Sequence, residues 1–299
     1  MVFNEAGRLP MDGVNRIEQA LDEALSRAEA SGAPPRLGMA LRHAVFPGGA
    51  RIRPRLCLAV AHACGIEDAC PATAAAASIE LLHCASLVHD DLPCFDDAPV
   101  RRGKPSVHRA FGEPLAVLTG DALIVLAFET LARETACPPL RLAGLVLSVG
   151  RAVGMPLGIV AGQAWECEPQ IDLRTYHRAK TGALFAAATV CGAVAAGHDA
   201  DPWRDLGERL GEAFQVADDL RDAAGNAEDL GKPVGRDAAL DRMSAARELG
   251  IDGALARLDD LVDEAVASIP RCPGAAELRT LIRLEAQRFL PKELVRVAA

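Results

Sequence analysis

The sequence predicts an all-α fold, a single large helical bundle. Half of the 299 residues are hydrophobic while aromatics make up only 4%. That is an Ala/Leu/Val composition, which favours packed helices over β-sandwiches. Apolar residues recur at spacings of three and four through most of the chain. Sustained period-two alternation, internal repeats, low-complexity linkers and composition breaks are all missing from the sequence. The expectation is therefore one domain spanning 1–299, with roughly ten to twelve helices and no strand.

Taken in order, Val14, Ile17, Leu21 and Leu25 share one face and define a first amphipathic helix. Pro34-Pro35 closes the linker after it, and 37–45 continues in helical period. Pro47-Gly48-Gly49 is a turn. Ala50-Arg51-Ile52-Arg53-Pro54 then opens an apolar helix running to Cys64. Residues 71–91 form a long Ala-rich helix that Pro93 must break, because proline removes a donor and clashes with the preceding turn. Further apolar segments cover 116–132, 140–153, 158–166, 173–197 and 203–222. A polar, Gly-rich loop over 223–237 follows, then at least two helical patterns within 244–297. The longest uncharged run, 182–197, has 16 residues, short for a membrane span, and reads as a buried core helix. Residues 1–10 lack a basic region followed by an apolar one, so no signal peptide is expected.

The formal net charge of −9 argues against a general nucleic-acid binder, which carries a basic footprint. It does not exclude anionic substrates, which local basic groups decide. Nine cysteines are scattered through the chain without a C-x-x-C pair. They read as reduced, buried small hydrophobes of a cytoplasmic protein rather than as zinc ligands. Of 32 basic residues only four are lysine, and Lys104, Lys180 and Lys232 stand in polar stretches that also hold site candidates. Lysine is a compact point charge suited to phosphate; with so few, chance placement is the competing reading.

Two acidic stretches organise the chemistry. Asp90, Asp91, Asp96 and Asp97 fall within eight residues, and Arg101, Arg102 and Lys104 follow at once. Carboxylates this close repel one another unless a cation sits between them. Oxygen-only ligands suit Mg2+, which is held by one or two carboxylates plus substrate phosphates. The downstream cations then supply partners for phosphate. For a lone acidic run, a solvated loop closing a helix is the plainer reading, but a second run shifts the balance. Asp218 and Asp222 are four apart and share one helix face, with Gln215 on the same side and Asp219 beside them. Two such clusters facing each other across a bundle cavity suit several divalent ions around one polyphosphate. His83 lies seven residues before Asp90 and so nearly on its face; it is either a satisfied core histidine or a cavity residue. Asp90 and Asp96 would point about 240° apart on a continuous helix, so the break at Pro93 is what lets both reach one ion. Arg51 and Arg53, beside flexible glycines at a helix start, form either an anion cradle or a pair of surface arginines.

The marks occur in a fixed order. They are Gly48-Gly49-Ala50-Arg51-Ile52-Arg53-Pro54, His83 ahead of Asp90-Asp91 and Asp96, Arg101-Arg102-Gly103-Lys104-Pro105, Lys180-Thr181, Gln215 with Asp218-Asp219 and Asp222, and Gly231-Lys232. Each alone is weak, but the ordered set over 48–233 is specific. With it the chain resembles the trans-isoprenyl diphosphate synthases, or polyprenyl synthetases, and within them most resembles bacterial geranylgeranyl diphosphate synthases of carotenoid biosynthesis. The resemblance implies an isoprenoid-synthase-type helical bundle around a deep central cavity, usually a homodimer. It implies Mg2+-dependent condensation of a C5, C10 or C15 allylic diphosphate with isopentenyl diphosphate. Carried over residue by residue, Asp90, Asp96 and Asp218 hold Mg2+, three ions per site once diphosphate is bound. Asp91, Asp219 and Asp222 support them, and Lys180 joins this catalytic set. Arg101, Lys180, Thr181, Gln215 and Lys232 bind the allylic diphosphate, while Arg53, His83 and Arg102 bind isopentenyl diphosphate.

Two departures from that pattern stand out. The family usually has Lys where this chain has Ala50, which removes a cation from the isopentenyl site and leaves Arg51 as the neighbouring replacement. After Asp237 the family commonly has another Lys, and 238–244 contains none. Product length is read from the residues about one turn before Asp90, where a large aromatic would stop the growing chain early. Ala85 and Ser86 leave that floor open and favour C20 over C15. The alternatives are a C15 (farnesyl) or C10 synthase, or a catalytically silent synthase-like subunit, which two complete acidic motifs disfavour.

Overall fold

The computed structural model describes residues 11–66, 68–134, 137–170, 172–224 and 245–287. Lys232, with Gly231 and the stretch 238–244, lies outside the described residues. Helices α1 (Met11–Ala28), α2 (Pro35–Val45), α3 (Ile52–Ala63) and α4 (Cys70–Asp90) follow one another. A two-residue antiparallel ribbon, β1 (Val100–Arg101) and β2 (Lys104–Pro105), leads to α5 (Val107–Phe111) and α6 (Glu113–Ala132). Next come α7 (Pro139–Val153), α8 (Ile159–Trp165), α9 (Leu173–His177), a π-helical turn over Arg178–Gly182, and α10 (Ala183–Ala195). A 3-10 turn over Asp201–Trp203 opens α11 (Arg204–Ala224), and α12 (Ala245–Ala267) and α13 (Ala275–Gln287) complete the described chain.

The bundle is built around α4 and α10, both apolar on nearly every face, as a helix enclosed by neighbours must be. Alanine does much of this. Ala72, Ala75, Ala76 and Ala77 have no exposed surface, so α4 lies close against α3, α6 and α10. Where α10 crosses α3, Gly192 is required, because a Cβ there would stand 2.5 Å from the Cys57 carbonyl oxygen. The uncharged run 182–197 is thus the core helix the sequence predicts. Helix α11 packs on α10 and on α12, where Val216, Leu220, Leu258 and Leu261 form a second apolar cluster.

Helices α4 and α6 are each long and apolar enough to cross a membrane by length and composition alone. The apolar window of α4 is 78% buried inside the fold, which makes it a core helix, whereas that of α6 is only 39% buried. Accordingly Val117, Leu118 and Val125 of α6 are exposed.

Two features differ from the sequence expectation. The ribbon is a strand pair, but two-residue strands are too short to show alternation. The segment 173–197 is not one helix. It widens into the π turn that carries Lys180 and Thr181, a local irregularity of the kind that gathers at functional sites.

Candidate active site

A cavity of about 670 Å3 opens inside the bundle, lined from α3, α4, α6, α7, α8, α10, α11 and the π turn. Along α4 the acids occupy the C-terminal end, and Leu82, Ala85 and Ser86 line the turns before it. Ile124, Val153, Ile159 and Leu184 add to the apolar lining. Ala85 is buried and Ser86 donates its hydroxyl to the His83 carbonyl at 2.8 Å, so neither obstructs the space.

The first acidic cluster depends on the chain reversing. Helix α4 stops at Asp90, and the Asp96 amide donates back to the Asp90 carbonyl at 2.9 Å. Both side chains therefore line the cavity, as the break at Pro93 predicts. The reversal holds Asp97 at φ 45°, a left-handed conformation costing on the order of 1–3 kcal/mol, and Arg109 anchors its carboxylate at 3.0 Å. Asp91 turns inward and is 2% exposed. It takes the guanidinium of Arg101, whose Nε lies 2.9 Å from Oδ1, and so presents Arg101 to the cavity. Burial pushes the Asp91 carboxyl above its usual range against the pull of Arg101.

Lys180 comes from the π turn to meet this cluster. Its Nζ is 2.6 Å from Oε1 of Glu166 and 3.4 Å from Oδ1 of Asp90. Burial opposes the ammonium charge, yet Asp90 and Glu166 hold it above the ordinary lysine range. Asp90 is itself raised by burial, with Lys180 pulling down and Asp96 pushing up. Glu166 is fixed in turn by the Tyr176 hydroxyl at 2.6 Å and by Nε2 of Gln163 at 3.0 Å. Glycine at 162 is what lets α8 touch the π turn, since a Cβ would lie 2.5 Å from the Lys180 nitrogen. Sequence reasoning missed Glu166 and Tyr176. The signal available was Gln163 and Glu166, three apart and so on one side of α8.

On the opposite side, Thr181 Oγ1 donates to Oε1 of Gln215 at 3.0 Å, and Gln215 Nε2 donates to Asp219 at 3.0 Å. Asp219 is buried and also accepts the Ala245 amide at 2.8 Å, which ties α11 to the start of α12. Asp218 and Asp222 face the cavity. Arg53 of α3 stacks over Phe185 at 4.6 Å and Phe214 at 5.6 Å. Its buried Nε has no hydrogen-bond partner among the described residues, and burial lowers its pKa to about 10. A buried donor left open in this way can take an anion from outside the protein. His83 lines the same cavity; burial, then Arg53 and Arg102, keep its imidazole neutral well below the usual histidine range.

The family model for polyprenyl synthetases matches residues 34–270. The chain belongs to that family. A relative from Cereibacter sphaeroides, a geranylgeranyl diphosphate synthase, is 58% identical over 279 residues, covering 93% of this chain and 97% of its own. A solved geranyltransferase from Legionella pneumophila superposes with a TM-score of 0.77 at 28% identity, covering 93% and 95% of the two chains. One from Helicobacter pylori, complexed with magnesium and isoprenyl diphosphate, gives 0.75 at 30% identity, covering 93% and 99%.

In this polyprenyl synthetase several basic residues stand apart from the cavity lining. Arg51, expected at the anion site, is buried and held by Glu80 at 2.6 Å, Glu18 at 2.8 Å and the Val45 carbonyl at 2.9 Å. Its left-handed backbone, φ 50°, turns the side chain inward, so it braces the loop and cannot replace the cation missing at Ala50. Arg102 lies 4.0 Å from Glu80, in a small side pocket. Lys104 caps α2 instead of meeting substrate, with Nζ 3.2 Å from the His43 carbonyl and hydrogen-bonded to Phe46. Among the described residues no three His, Cys, Asp or Glu side chains close into a metal cage of their own. The oxygen donors are divided between two facing clusters, which fits Mg2+, an ion that completes its shell with phosphate oxygens and water.

Proposed function

We propose that this protein condenses allylic diphosphates with isopentenyl diphosphate to give geranylgeranyl diphosphate. The observation that carries the reading is one cavity with acids on two facing helices, the Arg53 guanidinium beside them with its Nε unpartnered among the described residues, and an apolar lining beyond. Asp90, Asp96 and Asp218 would hold Mg2+, three ions per site, and the metal supplies charge stabilisation for the departing diphosphate. Lys180, Arg101, Thr181 and Gln215 orient the allylic diphosphate and add fixed donors where negative charge grows as its C–O bond breaks. Leu82, Ala85, Ile124 and Leu184 give the resulting allylic cation a dry surface without nucleophiles. Arg53 and His83, with Arg102 close enough for its charge to act on both, bind isopentenyl diphosphate, whose double bond attacks the cation before a proton is lost to the released diphosphate. Asp91 and Asp219 act by holding these groups in place, and Asp222 stands beside Asp218 at the cavity. Small residues at 85 and 86 leave room for a C20 chain.

The exposed apolar face of α6 and α7, with Val117, Leu118, Val125, Leu140 and Leu147, supports a homodimer. Uniformly unpaired cysteines support a cytoplasmic location.

The test is a product analysis. Purified protein, Mg2+ and isopentenyl diphosphate are incubated with each C5, C10 and C15 allylic diphosphate, and the products are dephosphorylated and sized. A C20 alcohol, abolished by a chelator, is expected. A C15 stop would refute the product, and no product with any starter would refute the reaction.

A further inference from the structure

Lys180 has two carboxylates within reach, and it does not meet them equally. Its Nζ is 2.6 Å from Oε1 of Glu166 but 3.4 Å from Oδ1 of Asp90. The first is a tight charge-assisted contact, and the second is longer than such contacts normally are. Lys180 and Asp90 line the cavity. Glu166 is not part of that lining and reaches it through its partners.

The carboxylate of Glu166 is itself fixed. Oε1 also accepts the Tyr176 hydroxyl at 2.6 Å, and Oε2 accepts Nε2 of Gln163 at 3.0 Å. Lys180, Tyr176 and Gln163 all line the cavity, and they come from the π turn, α9 and α8. The sequence prepares this meeting. Glu166 follows Gly162 by four residues at the end of α8, and the missing Cβ of Gly162 is what lets α8 touch the backbone of Lys180. Tyr176 precedes Lys180 by four residues, with its ring centre 5.6 Å from Nζ.

A lysine is a point charge on a flexible stem, so placing it costs rotamer freedom. A fixed carboxylate removes that freedom before any substrate arrives. The ammonium has three N–H donors. Glu166 takes one and leaves the others toward the cavity, where Asp90 holds the ammonium only loosely. Among the described residues, Asp90 and Glu166 are the two carboxylates paired with Lys180. Without the charge at 166 the ammonium would close on Asp90 and compete there with a metal ion.

We propose that Glu166 is a positioning residue that holds Lys180 beside Asp90 but not on it, so that a fixed cation faces the allylic diphosphate while Asp90 stays open to Mg2+. This rests on the proposed condensation. The experiment compares wild type with Glu166→Gln and Glu166→Asp. Melting curves score folding. Kinetics give KM for both diphosphates and the Mg2+ concentration for half-maximal rate. Calorimetry measures binding of inorganic diphosphate in Mg2+, with no turnover required. In Glu166→Gln the Mg2+ requirement and the allylic KM are expected to rise, and the affinity for inorganic diphosphate to fall, by roughly tenfold. The isopentenyl KM should shift by less than about twofold. Glu166→Asp keeps the charge on a stem one methylene shorter and should move the same readouts the same way, but less. A lower melting temperature with all three readouts unchanged would overturn the proposal and leave Glu166 as a brace between α8 and the π turn. An isopentenyl KM that rises as far as the allylic one would overturn it too, as would an aspartate variant no better than glutamine. If the glutamine variant did not fold, wild-type constants in the aspartate variant would overturn it. Wild-type protein that binds Mg2+ and inorganic diphosphate but turns nothing over would instead sink the condensation and leave the Glu166 comparison readable by calorimetry.

Discussion

The two acidic clusters reach the same cavity by opposite means. The first needs a helix to end: α4 stops at Asp90, the chain reverses, and Asp96 returns to its side. The second sits in one unbroken helix, α11, and relies on the four-residue spacing of Asp218 and Asp222. Yet each divides its labour in the same way. One aspartate is buried as a holder, Asp91 on Arg101 and Asp219 on Gln215 and the Ala245 amide, while its neighbours face the cavity. A cluster of like charges therefore needs a member that anchors and members that act, whatever backbone carries it.

Four tests would break or sharpen that comparison. The largest effect is expected from Asp90→Ala and Asp218→Ala. Each should fold, with little change in melting temperature, and lose ~10³-fold in the rate of product formation. Near-normal turnover in either would show that the clusters are not partners. Next, Ala85→Phe should shift the main product from C20 to C15 in a chain-length assay, because only the α4 cluster continues into the apolar lining. An unchanged C20 product would remove α4 from the control of length. Third, the holders should differ from the actors in stability. Asp91→Asn, which leaves Arg101 without its carboxylate, should cost about 1–3 kcal/mol in denaturant unfolding, and Asp222→Asn, at the cavity face, less than that. Equal losses would erase the distinction.

The smallest effect concerns His83. Its folded pKa lies well below the usual value, so near neutrality neither state binds a proton. As pH falls through about 6.5 the unfolded chain takes one up and the folded chain does not. Stability is therefore lost on acidification, at up to about 1.4 kcal/mol per pH unit. His83→Gln should flatten the fall in melting temperature between neutral and mildly acidic pH. An identical slope would mean that His83 charges freely in the folded protein.

Much of this was legible in the sequence because it depends on local spacing. Apolar residues three and four apart placed the helices, Pro93 marked the end of α4, and aspartate spacing located both clusters. What escaped was set by contacts between distant segments. Arg51 looked like a cavity cation until Glu18 and Glu80, far away in sequence, claimed it. Lys104 was claimed in the same way by the end of α2. Glu166 was overlooked because its meaning comes from Lys180 and Tyr176, which only the π turn and α9 bring to it.

Helix α6 gives one further consequence. Ile124 lines the cavity, and its neighbour Val125 is 64% exposed on the outside. A single helix thickness is thus all that separates growing hydrocarbon from whatever lies against the protein's exterior. A rotation of α6 that brought a bulkier residue against the product would also redraw the outer surface. On this helix the length of the product and the identity of a neighbour are two readings of the same angle.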